Sequence, residues 1–187
     1  MFSPLILISA SLARTSGAVV VLGNGLPAVI ELARRARATR DGARVIVATT
    51  NAKVDDALAS LLRENDVPVY RGHEVDVLDR TLRASELFGA ETILLVSDEL
   101  PLATTRDFDG LMDEWSSDLD CLRRERWGCA TLEMISSDAL VAAWQGADHE
   151  DDRRSATRFI CTRPTRFRVR DLGSDLRRPI VTPLRAT

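Results

Sequence analysis

Cysteine is scarce in the 187-residue sequence, and Cys121, Cys129 and Cys161 are odd in number with no C-x-x-C pair. That argues against a disulfide framework or a cysteine-based zinc site, and it suits a reducing cytoplasm. Long apolar runs are missing too. The segment 5–10 is apolar, but no basic stretch precedes it, and Arg14 interrupts before a membrane-length span accumulates. It reads as a buried first strand, with neither a secretory signal nor a transmembrane helix expected. Nor is there an excess of positive charge. With 25 basic and 28 acidic residues the net charge is −3, which gives no general attraction to nucleic acid or to a membrane surface. The local arginine groups (Arg34, Arg35, Arg37, Arg40 and Arg123, Arg124, Arg126) lie among acids or apolar helical positions and read as solvated helix faces. Internal repeats and low-complexity linkers are absent, and the length suits one domain, 1–187, with a well-buried core.

What is present is an alternation of strand and helix patterns over the first two-thirds. Leu5–Ala10 is followed by a small-residue loop, Ser11–Gly17, and by a Gly23-Asn24-Gly25 turn. Pro27 can serve as the first residue of a helix running to about Ala38. The run Arg44–Thr49 predicts a strand covered on both faces. Asp55 and Asp56 open a helix carrying Leu58, Leu61 and Leu62, where acids complement the helix dipole. Val67–Tyr70 predicts a strand, Val77–Phe88 a helix ended by Gly89, Thr92–Val96 a strand and Asp107–Trp115 a helix. Residues 116–128 are polar and irregular. Beyond them Cys129–Ile135 suits a strand, Ser136–Trp144 a helix with a serine cap, and His149–Arg154 is a charged run.

Strands separated by helices of this length make right-handed crossovers and a mainly parallel sheet. Ligands of such sheets bind beyond the carboxyl ends of the strands. Those ends are Ser9–Gly17, Thr49–Asn51, Arg71–Asp76 and Ser97–Glu99. They hold small residues, arginines and acids, as a nucleotide with a metal would require. The Gly23-Asn24-Gly25 turn is too short for a dinucleotide fingerprint and does not directly follow the first strand.

The ordered series V-I-V-A-T-T (45–50), Asp55-Asp56, V-P-V-Y-R-G-H-E-V-D-V-L-D-R (67–80) and Pro101-Leu102 resembles the spore-coat polysaccharide biosynthesis cytidylyltransferase family, related to CMP-sialic acid and CMP-KDO synthetases. Gly25-Leu26-Pro27 fits that family's G-K-P turn. Weaker similarity continues through Glu133, Ala139-Leu140 and the R-P-x-R-F run at Arg163–Phe167. The resemblance implies a three-layer, Rossmann-like α/β fold of the GT-A nucleotide-diphospho-sugar transferase type, with a mainly parallel sheet and helices on both faces. It implies transfer of CMP from CTP to a small acidic sugar with release of pyrophosphate, supported by Mg²⁺, in a cytoplasmic homodimer. Trp115, Trp127 and Trp144 are the apolar candidates for such a contact, and core packing explains them equally well.

Carried over residue by residue, the resemblance puts Arg14 and Arg80 in catalytic roles and Asp98 or Glu99 on the metal. The strand ends add Ser9, Ser11, Gly17, Thr49, Thr50, Arg71 and Asp76 as nucleotide-binding candidates, with His73 nearby. The departures are as informative. Ser9, Leu12 and Ala18 stand where the family has arginine, serine and lysine, and Glu99 where it has the metal aspartate. Thr131 lies near the family's second metal carboxylate, and Asp152-Arg153-Arg154-Ser155 occupies its D-R-E-H. Three readings follow: an active CTP-dependent transferase, a catalytically silent ligand- or partner-binding module, or an enzyme using the same pocket for a substrate without a triphosphate.

Overall fold

The computed structural model describes residues 4–13, 17–39, 42–100, 102–126 and 130–175. Seven strands are named in chain order: β1 (Leu5–Ser9), β2 (Arg44–Thr50), β3 (Val69–Gly72), β4 (Thr92–Ser97), β5 (Cys121–Arg126), β6 (Ala130–Ser136) and β7 (Val169–Asp175). They form one sheet in the order β3-β2-β1-β4-β6-β5-β7. The first four are mutually parallel, β6 runs antiparallel to both β4 and β5, and β7 is parallel to β5. The helices are α1 (Ala28–Arg37), α2 (Asp56–Glu64), α3 (Val77–Leu87), α4 (Thr105–Met112), α5 (Ser137–Gly146), and the single turns α6 (Glu150–Arg153) and α7 (Arg158–Cys161).

The period of two along the strands sorts the core into two layers. Ile6, Ile8, Val45, Val47, Leu94 and Val96 face Leu32, Leu58, Leu62 and Phe108 of α1, α2 and α4. Leu5, Leu7, Ile46, Ala48 and Ile93 face Leu78, Leu82, Leu140, Phe159 and Ile160 of α3, α5 and α7. The Leu-Ile-Leu-Ile run of β1 is fully buried because β1 is central and covered on both sides. Each such side chain contributes about 1.5–3 kcal/mol by leaving water.

Chain order and sheet order together locate a crevice. From β1 the chain steps outward through β2 to β3, with α1 and α2 on one face. It then crosses back over α3, on the other face, to enter β4 on the far side of β1. The winding thus reverses between β1 and β4, and such reversals open the ligand crevice of an α/β sheet.

Two local expectations change. Pro27 sits just before α1 instead of inside it, with its carbonyl accepting from Ile30 N at 3.0 Å and Glu31 N at 3.1 Å. The polar stretch 116–128 contains β5, an internal strand. Its charged residues are matched across the sheet: Arg123 lies in register with Glu133 of β6 and Asp171 of β7. Cross-strand opposite charges let a polar sequence hold an internal position. The remaining features follow their local chemistry. Ser136 accepts from Ala139 N at 3.2 Å to cap α5. Gly89, at φ +56°, ends α3 in the left-handed conformation that glycine adopts freely. No described helix is long and apolar enough to cross a membrane.

Candidate nucleotide site

The carboxyl ends of β1 to β4 are stitched together by backbone bonds. Asp98 N donates to Ser9 O at 3.0 Å across the winding reversal, Ala10 N to Ala48 O at 3.1 Å, and Asn51 N to Gly72 O at 2.9 Å. Ser9, Ser11, Thr49, Thr50, Ser97 and Asp98 therefore converge at one edge of the sheet. Thr49 is fully buried there, and its Oγ1 has no hydrogen-bond partner among the described residues. Asp98 is buried, and Glu99 beside it is exposed, its N–H donating to Ser97 Oγ at 3.1 Å. Gly17 opens a short 3-10 turn, Gly17–Val19. Arg14 and Pro101 lie outside the described residues.

At the centre of this edge is an acid whose role the sequence reading missed. Asp55 ends a 3-10 turn ahead of α2 and is fully buried. It accepts from Leu12 N at 2.6 Å, Ser11 Oγ at 3.0 Å and Thr50 N at 3.3 Å, and it also bonds Thr50 Oγ1. Burial pushes this carboxyl upward. The hydrogen bonds from Thr50, Leu12 and Ser11 outweigh that and hold it below the usual carboxylate range. Ser11 Oγ also accepts from Ala13 N at 3.2 Å. The start of the loop after β1 is thus wrapped around an internal anion, with the N–H groups of Leu12 and Ala13 already engaged. Asp55 does more than complement a helix dipole. The signal for it was the D-D pair that begins five residues after β2, which the sequence offered as a helix opening and as part of the family resemblance.

The β3–α3 loop is built with equal economy of parts. Arg71 donates from Nε to Thr50 O at 2.9 Å and from Nη2 to Ala52 O at 3.0 Å, and its Nη1 pairs with Asp56 at 2.7 Å. Arg80 is buried and donates from Nη1 to His73 O at 2.6 Å and Glu74 O at 3.3 Å. Its stem lies on Gly72, where an added Cβ would come within 2.9 Å of Arg80 Cγ and 2.7 Å of Tyr70 Cε1. His73 Nδ1 accepts from Val75 N at 3.2 Å and Asp76 N at 2.9 Å, which leaves Nε2 as the ring nitrogen that can donate. Asp76 caps α3 by accepting from Asp79 N at 2.8 Å, and it faces Arg153 of α6 at 3.5 Å. Trp144 is fixed nearby, donating from Nε1 to Asp79 at 2.9 Å, with the guanidinium of Arg83 4.8 Å from its ring centre. Trp115 packs against the core, and Trp127 lies outside the described residues.

Glu133 belongs elsewhere. It pairs with Leu95, two residues below the end of β4, so Thr131 is the β6 residue nearest the strand-end level. Its carboxylate accepts from Thr157 Oγ1 at 2.9 and 3.0 Å, and burial pushes its pKa upward. Beyond α6 an open cleft of about 480 Å³ is bordered by His149, Glu150, Asp151, Arg158, Thr162 and Arg163, with buried Asp152 bonded by Arg163 at 3.0 Å. Among the described residues no three histidine, cysteine or acidic side chains gather as a metal cage.

No family model matches the chain. It is 31% identical over 128 residues, 67% of its length, to an uncharacterized protein of Methanocaldococcus jannaschii, of which it spans about half (52%). Solved structures match far more of it. A cytidylyltransferase from Leptospira borgpetersenii superposes with a TM-score of 0.82 at 18% identity, covering 92% of this chain and 76% of that one. A CMP:2-keto-3-deoxy-manno-octonic acid synthetase complexed with CTP gives 0.71 at 13%, covering 93% and 91%. A Mycobacterium tuberculosis H37Rv protein complexed with manganese gives 0.62 at 12%, covering 92% and 90%. At these identities the likeness is one of architecture: the chain has a Rossmann-like, GT-A-type fold of the cytidylyltransferase kind.

Proposed function

We propose that the chain binds CTP across the carboxyl ends of β1 to β4 and transfers its CMP group to a small acidic sugar, releasing pyrophosphate. The observation that carries this reading is the gathering of Ser9, Ser11, Thr49, Thr50, Ser97 and buried Asp98 at the winding reversal, on a fold whose solved relatives include a CTP complex. In this reading Ser9 and Ser11 flank the phosphates, with Gly17 and Arg14 on the same loop. Asp76 and Arg80 set the β3–α3 loop against nucleotide or acceptor, while Arg71 fixes Thr50. An acceptor oxygen attacks the α-phosphorus, and the bond to the β-phosphate oxygen breaks. Groups already fixed by the fold stabilise that step without reorganising.

The acidic residues fit Mg²⁺ of one kind. One buried and one exposed carboxylate, Asp98 and Glu99, cannot cage the ion alone, but Mg²⁺ is commonly held by one or two carboxylates plus the nucleotide's phosphates. Bound in that way it would neutralise charge developing on the phosphates.

Calorimetric titration with CTP and Mg²⁺ tests the reading. Saturable binding is expected, and its absence at millimolar CTP overturns the proposal. Release of pyrophosphate in the presence of acidic sugars tests the transfer. One observation favours a second reading, a binding module without transfer. The N–H groups of Leu12 and Ala13 are spent inside the protein, and Ala18, where the family has lysine, is a buried core residue. CTP binding with no pyrophosphate release would select that reading.

A further inference from the structure

A second group of reactive side chains lies on the face of the sheet covered by α3, α5 and α7, well below the strand ends. Cys121 opens β5, level with Ile135 of β6, and is fully buried. Cys161 closes α7 and is half-buried. Their Sγ atoms are 4.0 Å apart. Two residues along the same face of β5, Arg123 lies in register with Glu133 and reaches Asp171 at 3.4 Å. Nothing in the nucleotide site uses these groups.

Two thiols at this distance share their protons unequally. The hydrogen bond with Cys161, followed by burial, pushes the Cys121 thiol up. Either sulfur can donate in this bond, and when Cys121 does so it stabilises a Cys161 thiolate. The Arg123 guanidinium adds to this, and together they outweigh burial to hold Cys161 below the usual thiol range. Cys161 is also the more accessible sulfur, and the buried Cys121 sulfur stands 4.0 Å from it.

We infer that Cys161 is an oxidation site for hydrogen peroxide and that Cys121 is its resolving thiol. The Cys161 thiolate attacks one peroxide oxygen, the O–O bond breaks, hydroxide leaves, and the sulfur becomes a sulfenic acid, oxidised by two electrons. The Cys121 sulfur then attacks the Cys161 sulfur. The S–O bond breaks, the departing hydroxyl takes the Cys121 proton and leaves as water, and a disulfide forms. The sulfur atoms must close from 4.0 Å to about 2.05 Å. Cys161 ends a four-residue helix, so rotation of its side chain and a small shift of that turn supply the approach.

The test uses the full chain, treated with equimolar hydrogen peroxide and analysed by intact mass and peptide mapping. The expected product has lost the mass of two hydrogens and carries a Cys121–Cys161 link that reductant removes. Consumption of thiols with no such link, or a link through Cys129, overturns the inference. Cys121→Ser should accumulate a sulfenic acid on Cys161 that dimedone traps, whereas Cys161→Ser should leave Cys121 unlabelled. Dimedone on Cys121 in the wild-type chain also overturns the assignment. Should a serine variant fail to fold, competitive alkylation of the wild-type chain with iodoacetamide decides the order of reactivity. Cys161 must be labelled first, and preferential labelling of Cys121 rejects the inference.

Discussion

The Asp55 carboxylate accepts a 2.6 Å hydrogen bond from the backbone N–H of Leu12, 43 positions earlier in the chain. That bond, with those from Ser11 and Thr50, joins the loop after β1 to the end of β2. Asp55→Asn puts an amide donor where donors already converge, stranding at least one buried N–H. The expected loss is about 1–3 kcal/mol in urea unfolding. The pH dependence has a definite sign. The folded-state pKa lies below the unfolded one, so the stabilisation is complete above the unfolded value, about 4. It is lost as pH falls through the folded value. Wild-type stability should drop more steeply than that of Asp55→Asn below about pH 4. Parallel curves would contradict the assignment.

Gly72→Ala should destabilise by about 1–3 kcal/mol through overpacking. The Tyr70 ring can swing aside, but the Arg80 stem 2.9 Å away is pinned by the bond from its guanidinium to His73 O. Thermal unfolding of Gly72→Ala, Arg80→Ala and the double variant should reveal strong non-additivity. Additive losses would mean that Gly72 matters for another reason.

Glu133→Gln is expected to leave stability unchanged or raised at neutral pH. Burial raises the folded-state pKa of Glu133, so the carboxyl favours folding fully only below its unfolded value, near pH 4, and that contribution fades as pH rises through the folded value. Glutamine keeps an acceptor for Thr157 Oγ1 without the charge. Any advantage of the variant should vanish in acid. A loss of several kcal/mol at pH 7 would show instead that the pairing with Arg123 dominates.

Asp98→Asn should remove most of the Mg²⁺-dependent part of CTP stabilisation in a thermal-shift measurement, leaving any Mg²⁺-independent part. Glu99→Gln should remove less, because its side chain is exposed and the buried neighbour is better fixed. Equal stabilisation in wild type and Asp98→Asn would take Asp98 out of the site.

Much of the architecture was readable from residues 5–97, where apolar runs bounded by glycine, proline and acids coincide with β1 to β4 and α1 to α3. In the last third β6 and the serine-capped α5 were readable too, but β5, β7, α6 and α7 were not, because they are short or are stabilised by partners distant in sequence. β5 has only Cys121 and Leu122 as buried apolar residues at its start, and its arginines acquire meaning beside Glu133 and Asp171. The single turns α6 and α7 are too short for any periodicity to register. Within the site, strand-end positions followed from topology, but allegiance did not. Arg71, Arg80 and Asp55 spend donors or acceptors on backbone or neighbouring loops, and a linear pattern cannot distinguish such bonds from ligand contacts.

The bond from Asp98 N to Ser9 O also bears on how the protein is made. β1 and β4 meet only after the chain has completed two outward crossovers and returned over the opposite face. Contacts between segments so far apart cost loop-closure entropy, and folds rich in them fold more slowly. A ligand that binds there needs both strand ends in place, so it favours the folded chain over one in which β1 and β4 are apart. Such a ligand would draw folding equilibria toward completion in proportion to its concentration, acting on the chain as a check of its own assembly.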